Sequence, residues 1–497
     1  MTAVSPFDHG NMPSAPSHSV SSGLKHNDDK TNDFQVQASN TEGIINGESI
    51  DPKEHLDVER QKTIEGEAHF HRLGWKRMTV ILIVQAIALG ALSLPKAFAS
   101  LGMILGIILC IAVGLVALYG SVMIGRVQVM YPHVSHYADL GRLMFGSFGS
   151  KLLSVFFVGL ATMAVGSHCL TGAIAFGSLT QSGVCSLVYG VISGLIMLFL
   201  AIPPSFTEIA ILGYIDFASI ILAIGITIVG TGVRKSEGLA DPSTPWSAWP
   251  KEGLSLSEAI VALNNIVFAY GFAVAQPSFM AEMHTPQDFF KSARALAAIE
   301  IVVYTLTGSL IYAFVGQDVQ SPAFLSTGSV LSRVTFGVAL PVIFISGAIN
   351  TTVVARYVHG TIYRDSIVRF VNTKKGWITW IGLVSIITLI AWIIAEAIPV
   401  FSELLSICAA LFVSGLSFYF PALMWFLILR DGEKSWFDRH NIVHAVGCGL
   451  LFLFGIVILG LGMYSSIAEL VSFPFFILQV PQLSKTPGPQ IRLRLGQ

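Results

Sequence analysis

The chain has 497 residues, of which 53% are hydrophobic and 12% are charged, whereas about 25% of residues are charged in an ordinary soluble domain. The apolar residues are gathered in long blocks, and 29 basic residues nearly balance 30 acidic ones. This composition excludes a soluble globular fold. It also gives no sign of a nucleic-acid partner, which would require a basic surface.

The chain begins with a polar segment rich in Ser, Asn, Asp, Glu and Lys. Its low hydrophobicity predicts a disordered cytosolic tail over residues 1–72, and no cleavable signal peptide opens the sequence. Membrane insertion is therefore expected to begin with the first transmembrane helix.

Long apolar blocks follow the tail. A helix needs about 20 apolar residues to cross roughly 30 Å of hydrocarbon, so the sequence predicts an all-α integral membrane protein with about eleven transmembrane helices. The predicted spans are 78–99, 101–125, 152–177, 184–203, 209–232, 256–282, 293–316, 334–360, 377–396, 403–429 and 441–464. They make up a transporter domain over 73–466, and residues 467–497 form a short C-terminal tail.

The distribution of basic residues predicts the orientation in the bilayer. With the N-terminus inside, the inner loops carry twelve Lys and Arg residues and the outer loops carry five. Cytoplasmic loops hold the excess of positive charge. We therefore expect a cytosolic N-terminus and, with eleven spans, an extracellular C-terminus.

The first and the sixth predicted spans are interrupted by residues that weaken a helix. The first contains the run Gly90–Pro95, and the sixth contains the run Tyr270–Pro277. Glycine tolerates open backbone conformations, and proline removes a hydrogen-bond donor. At 1.5 Å per residue, both interruptions lie roughly 18–21 Å from the start of their spans, approached from opposite sides of the membrane.

This mirrored pair predicts an inverted repeat. The first repeat covers about 78–232 and the second about 256–429, with an extra helix at about 441–464. Interrupted helices at equivalent places in two repeats indicate a transporter binding site. A half-helix N-terminus offers N–H groups to a carboxylate, and open carbonyls accept from an ammonium. Together they can bind a zwitterion without a charged side chain.

The run Gly90-Ala-Leu-Ser-Leu-Pro95, the eleven spans and the long polar tail resemble the amino acid/auxin permease family of transmembrane amino acid transporters. The resemblance is greatest to fungal neutral amino acid permeases of the methyltryptophan-resistance type and covers roughly 70–465. Two positions depart from the family pattern Gly-x-Gly-x-Leu-x-Leu-Pro. Ala88 replaces its first glycine, and Lys96 follows the proline where the family often has an aromatic residue.

The resemblance implies a leucine-transporter-like 5+5 fold with broken helices 1 and 6 and the substrate bound at both breaks. No Asp or Glu lies at either break, which favours neutral aliphatic and aromatic amino acids. The predicted substrate-binding residues are Ala88, Leu89, Gly90, Ala91, Leu92, Ser93, Phe268, Ala269, Tyr270 and Gly271.

In this fold a cation site commonly lies between the first and eighth spans, where the present chain has Asn350, Thr351 and Thr352. Asp216 and Glu300 are the deepest carboxyls in the predicted spans, and ionisable residues within a membrane are functional candidates. The likeness to fungal carriers favours a proton over sodium as the coupling ion, and no cofactor is expected.

The sequence therefore predicts proton-coupled symport of neutral amino acids at the plasma membrane. Two alternatives remain open, a vacuolar amino acid exporter of the same family and an amino acid sensor that does not transport. An enzyme is not expected, since no nucleophile and base set, metal cluster or phosphate loop is visible. The resemblance also suggests a ubiquitin ligase that acts on the tail lysines Lys25, Lys30, Lys53 and Lys62.

Overall fold

The computed structural model describes residues 74–87, 90–181, 184–204, 206–239, 244–363, 366, 368, 371, 373–430 and 439–472. They belong to the larger of two compact units, Glu59–Gln497, and the smaller unit, Met1–Val58, lies outside the described residues. The predicted N-terminal tail with its four lysines therefore lies outside the described residues, as does the C-terminal tail from residue 473 onward.

The described segments are helical over most of their length. In chain order the helices are α1 (Trp75–Ala86), α2 (Gly90–Leu101), α3 (Met103–Met130), α4 (Tyr137–Thr180), α5 (Ser186–Ala201), α6 (Phe206–Ser236), α7 (Leu256–Ala269), α8 (Gln276–Ala281), α9 (Phe289–Val315), α10 (Ser329–Ile362), α11 (Lys374–Ala397), α12 (Phe401–Leu429) and α13 (Arg439–Ser472). A 3₁₀ turn, Gly271–Val274, joins α7 to α8, and α12 contains π-helical stretches at Ala409–Tyr419 and Trp425–Leu429.

Eight helices of the described chain are long and apolar enough to cross a membrane, and the number becomes nine when α1 and α2, which meet at 58°, are taken as one broken span. The two shorter apolar helices, α5 and α7, fall on the fourth and sixth predicted spans. The predicted all-α membrane fold is confirmed. Helix length and composition alone do not establish the count of eleven, because α5 and α7 are shorter than a regular span.

Helix α4 is divided near its start. Gly146 has a φ of 62°, and the preceding Phe145 is also non-helical. Glycine adopts a positive φ without the steric penalty of a side chain, so the chain can break there. The long apolar part of α4 that follows the break contains the third predicted span, 152–177.

The helices sort by their contacts into two groups. In one group, α9 packs along α1, α2 and α3, and α2 packs against α7. In the other, α10 packs along α4, α5, α6 and α11, and α4 also contacts α11. Helices α12 and α13 pack on each other and on α7. Both interrupted spans therefore lie in the first group, with α2 facing α7.

Candidate functional site

The first break lies between α1 and α2. Helix α1 ends at Ala86 and α2 begins at Gly90, whereas the sequence predicts the interruption at Gly90–Pro95. The predicted position is wrong by about one helical turn, because Pro95 is accommodated inside α2. Proline at this position removes the hydrogen bond to the Ala91 carbonyl, yet α2 continues as one helix to Leu101. Ala88 and Leu89, both predicted to bind substrate, lie outside the described residues.

The second break follows Ala269, the last residue of α7. Tyr270 has non-helical dihedral angles, and the 3₁₀ turn Gly271–Val274 leads to α8. Pro277 is the second residue of α8. In the first turn of a helix the backbone N–H groups have no carbonyl acceptor within the helix, so proline loses no hydrogen bond there. The sixth span is thus broken within the predicted run.

The two breaks touch each other at their backbones. A Cβ atom built on Gly90 would lie 2.7 Å from the Cα atom and 3.0 Å from the Cβ atom of Ala269. A side chain at position 90 would therefore force the start of α2 away from the end of α7. This contact explains why glycine is required there and places the N-terminus of one half-helix beside the C-terminus of another.

Several predicted substrate residues line this junction. Ala91, Leu92 and Ser93 are buried in the first turn of α2, and the Ser93 hydroxyl donates to the Gly90 carbonyl at 2.9 Å. Phe268 is half-buried at the end of α7, while Gly271 lies against Val413 of α12.

Tyr270, one of the predicted substrate-binding residues, is fully buried. Its ring packs edge-on against the ring of Tyr304 at a centroid distance of 5.1 Å, and it lies beside Gly114 of α3. The side chain of Tyr270 is therefore held between α3 and α9, where it supports the break.

Tyr304, on α9, was not among the predicted site residues. Its hydroxyl lies 2.8 Å from the Ala86 carbonyl oxygen and 3.0 Å from the Ala269 carbonyl oxygen, and the side chain is fully buried. One side chain thus reaches the last residue of each half-helix that precedes a break. A tyrosine in the middle of an apolar span is a sequence signal for such a role, but its partners are 218 and 35 residues away.

The two halves of the sixth span are anchored to different helices. In the first half, α7, Asn264 donates to the Ser406 hydroxyl of α12 at 2.9 Å, and Ser406 is paired with Ser466 of α13 at 2.6 Å. In the second half, α8, the Gln276 side chain accepts from the Ser121 hydroxyl of α3 at 2.8 Å and donates to the Ser121 backbone carbonyl at 2.9 Å. The break therefore joins two segments that have separate partners.

We expect the bond between the Gln276 and Ser121 side chains to stabilise the contact between α8 and α3 by a measurable amount. The second bond accepts at the Ser121 backbone carbonyl, which Ser121→Ala retains. Since a buried hydrogen bond between membrane helices is worth about 0.6 kcal/mol on average, the two side chains should show a coupling energy of about 0.6 kcal/mol. Thermal unfolding of the purified chain with Gln276→Leu, Ser121→Ala and both changes together measures this energy as a double-mutant cycle. Strictly additive destabilisation would show that the two side chains are not coupled.

The coupling candidates are brought together around α10. The Ser346 hydroxyl donates to Asp216 of α6 at 2.6 Å, and Asn350 donates to the Ser346 carbonyl at 3.0 Å. Gln85, one residue before the end of α1, lies 3.5 Å from the side-chain oxygen of Asn350. Polar groups therefore lead from the first break to the buried carboxyl of Asp216, which is 1% exposed.

The other three coupling candidates, Thr351, Thr352 and Glu300, take no part in these hydrogen bonds. Thr351 donates to the Gly347 carbonyl of its own helix, and the buried Thr352 hydroxyl has no hydrogen-bond partner within the described ranges. Glu300 lies one helical turn before Tyr304 on α9 and is fully buried. Neither of its carboxyl oxygens has a hydrogen-bond partner in the described part of the chain. A buried carboxyl without partners is costly to keep charged, so Glu300 is a candidate proton site separate from Asp216.

Two discontinuous helices in contact with each other, within the helical membrane fold of the described residues, are typical of membrane transporters. The chain belongs to the transmembrane amino acid transporter protein family, whose model matches residues 71–465. This match confirms the resemblance found in the sequence and places an amino acid among its ligands.

Individual relatives agree with the family. The chain is 55% identical over 417 residues to the N amino acid transport system protein of Neurospora crassa, which covers 82% of this chain and 87% of that protein. It is 26% identical over 415 residues to a transmembrane transporter of Fusarium pseudograminearum, covering 82% and 85% of the two chains. An amino acid transporter of Arabidopsis thaliana is 24% identical over 390 residues, with coverage of 77% and 88%.

Proposed function

We propose that this chain is a proton-coupled symporter that carries neutral aliphatic and aromatic amino acids into the cell. The observation that carries the proposal is the contact between the two helix breaks at Gly90 and Ala269. There the free N–H groups at the start of α2 lie beside the carbonyls at the end of α7, inside a family of amino acid transporters. These two kinds of backbone group match the carboxylate and the ammonium of a zwitterion.

The residues around the breaks favour a neutral substrate. Among the described residues of the stretches 86–95 and 268–277, which contain the two breaks, no side chain carries a charge. Small and apolar residues surround the junction, with Phe268 half-buried at its edge. A basic or acidic amino acid would bring a second charge into this low-dielectric site, where neither break supplies an opposite charge, at a large desolvation cost. Ala88, Leu89, Gly90, Ala91, Leu92, Ser93, Phe268, Ala269, Tyr270 and Gly271 remain the proposed substrate residues.

The anchoring of the sixth span supports a mechanism of alternating access. Helix α7 is bonded to α12, which is in turn bonded to α13, and α8 is bonded to α3. Because the open backbone lies between two separately anchored segments, one half can move while the other stays in place. This is the type of motion that alternates access to a central site in transporters built from inverted repeats.

The coupling proton is proposed to bind at Asp216, with Glu300 as the second carboxyl candidate. Asp216 is joined through Ser346 and Asn350 to Gln85 beside the first break. A proton on this carboxyl removes a buried charge, and its release restores that charge. A movement of α1 can therefore change the hydrogen bonding of Asp216 and, with it, the binding of the proton. Thr351 and Thr352 stay with Asn350 as proposed members of the same site.

We propose that the chain lies in the plasma membrane with its N-terminus in the cytosol and its C-terminus outside. The excess of basic residues in the predicted inner loops supports this orientation. A ubiquitin ligase that acts on the N-terminal tail is proposed as the partner that removes the carrier from the surface.

Uptake measurements at acidic and neutral external pH, with sodium or with choline as the external cation, test the proposal. In cells that lack their own neutral amino acid carriers, radiolabelled leucine and phenylalanine should accumulate faster at acidic pH and equally well without sodium. Unlabelled neutral amino acids should compete, and lysine and glutamate should not.

Three outcomes would contradict the proposal. A sodium requirement with no response to pH would overturn proton coupling. Binding of leucine without accumulation would favour a sensor. Fluorescence of a tagged chain only at the vacuolar rim, together with export of amino acids from isolated vacuoles, would establish a vacuolar exporter instead.

A further inference from the structure

The two half-helices that precede the breaks end at nearly the same point in the molecule. Ala86 is the last residue of α1 and Ala269 is the last residue of α7. The final carbonyls of a helix lack an intrahelical donor and carry the negative end of its dipole. Two such ends that converge inside a membrane protein repel each other, and a donor or a cation between them is favourable. In carriers with broken helices, C-terminal ends of half-helices often coordinate Na⁺.

In the present chain the position between the two carbonyls is taken by the Tyr304 hydroxyl. The oxygen lies 2.8 Å from the Ala86 carbonyl and 3.0 Å from the Ala269 carbonyl. Its single proton can be donated to either carbonyl or shared between them. The ring itself is fixed by the edge-on contact with Tyr270 and is fully buried.

We propose that Tyr304 is a positioning residue that holds the two helix breaks together, with a neutral hydroxyl as the donor between their terminal carbonyls. The inference rests on the proposed function, because it assumes that the two breaks together bind the substrate. Tyr304 belongs to α9, which packs along α1 and α2, so its hydroxyl ties both breaks to one rigid helix.

The position of the bonds gives the hydroxyl an effect that ring packing cannot supply. If α1 and α7 move apart, the Tyr304 hydroxyl can stay within hydrogen-bonding distance of only one of the two carbonyls. The other is then left unpaired in a low-dielectric interior, which is costly. The hydroxyl therefore favours conformations in which the ends of α1 and α7 stay close, and these are the conformations in which Gly90 meets Ala269.

Uptake by the full-length chain in liposomes tests the role of the hydroxyl. With radiolabelled leucine in a sodium-free buffer and an inward proton gradient, Tyr304→Phe should lower the maximal uptake rate about tenfold or more, as expected for lost hydrogen bonds in a desolvated site. Tyr312→Phe is the matched control, since Tyr312 is also a buried tyrosine of α9. The Tyr312 hydroxyl is bonded to Ser247 at 2.9 Å and to Gln317 at 2.7 Å. The control should keep the wild-type rate.

Two analogues at position 304 separate hydrogen bonding from packing. Incorporation of 4-aminophenylalanine keeps an N–H donor at the end of the ring and should restore uptake. Incorporation of 4-methylphenylalanine fills the same space without a donor and should not. Equal uptake by the wild-type chain and Tyr304→Phe, or equal rescue by both analogues, would overturn the inference. Failure of the wild-type chain to accumulate leucine would instead refute the proposed function.

Discussion

Replacing Gly90 with leucine is expected to abolish amino acid uptake while the chain still reaches the membrane. The added side chain would begin with a Cβ atom 2.7 Å from the Cα atom of Ala269, and backbone at that distance cannot give way as a flexible side chain can. Either α2 or α7 must shift, and a displacement of about 1 Å at a site that positions substrate can cost about a hundredfold in rate. Radiolabelled leucine uptake, normalised to the amount of chain at the cell surface, measures the loss.

Gly90→Ala gives a gentler version of the same test. A single methyl group makes the same contact with Ala269, so we expect uptake to fall by about tenfold or more. Gly225→Ala is the matched control. Gly225 lies within α6, and a Cβ atom there would meet nothing within 4 Å. The control should keep its uptake and gain up to about 1 kcal/mol in helix propensity. Normal uptake by Gly90→Ala would refute a substrate site at the contact between the breaks.

The helix breaks could be predicted from sequence because their cause is local. Gly90, Tyr270–Gly271 and Pro277 interrupt apolar runs that are otherwise uniform, and the hydrophobic blocks mark the spans that contain them. The first break precedes the predicted run because Pro95 removes one hydrogen bond without ending the helix. Pro95 therefore lies inside α2, and the break precedes Gly90.

The contacts that assemble the site could not be read from the same pattern. Tyr304 meets Ala86 across 218 residues, and Ser346 meets Asp216 across 130. Periodicity and hydropathy describe each helix singly, whereas these pairs depend on how helices pack. In a membrane the outer and inner faces of a helix are both apolar, so amphipathicity gives little information about which face is buried. Polar residues within spans, such as Asp216 and Glu300, are the exception, and both were recognised as candidates.

Asp216→Asn is expected to remove proton-driven accumulation while exchange of amino acid across the membrane continues. Asparagine has nearly the same shape as aspartate and can still accept the hydrogen bond from Ser346, which is 2.6 Å long. It cannot bind and release a proton, so the substitution changes coupling more than structure. In liposomes with an inward proton gradient, leucine should equilibrate without concentrating. Counterflow of labelled against unlabelled leucine should stay within about twofold of the wild-type rate, because a conservative change that keeps its contacts costs little.

Asp288→Asn is the matched control for this substitution. The Asp288 carboxylate forms a surface ion pair with Lys291 at 2.7 Å, and such exposed pairs contribute about 0–1 kcal/mol. Loss of this ion pair should leave accumulation unchanged.

Glu300→Gln tests which of the two buried carboxyls carries the proton, since Glu300 lies on α9 and Asp216 on α6. If Glu300→Gln alone abolishes accumulation and Asp216→Asn retains it, the proton is carried beside Tyr304, and the polar groups from Gln85 to Asp216 only hold the first break in place.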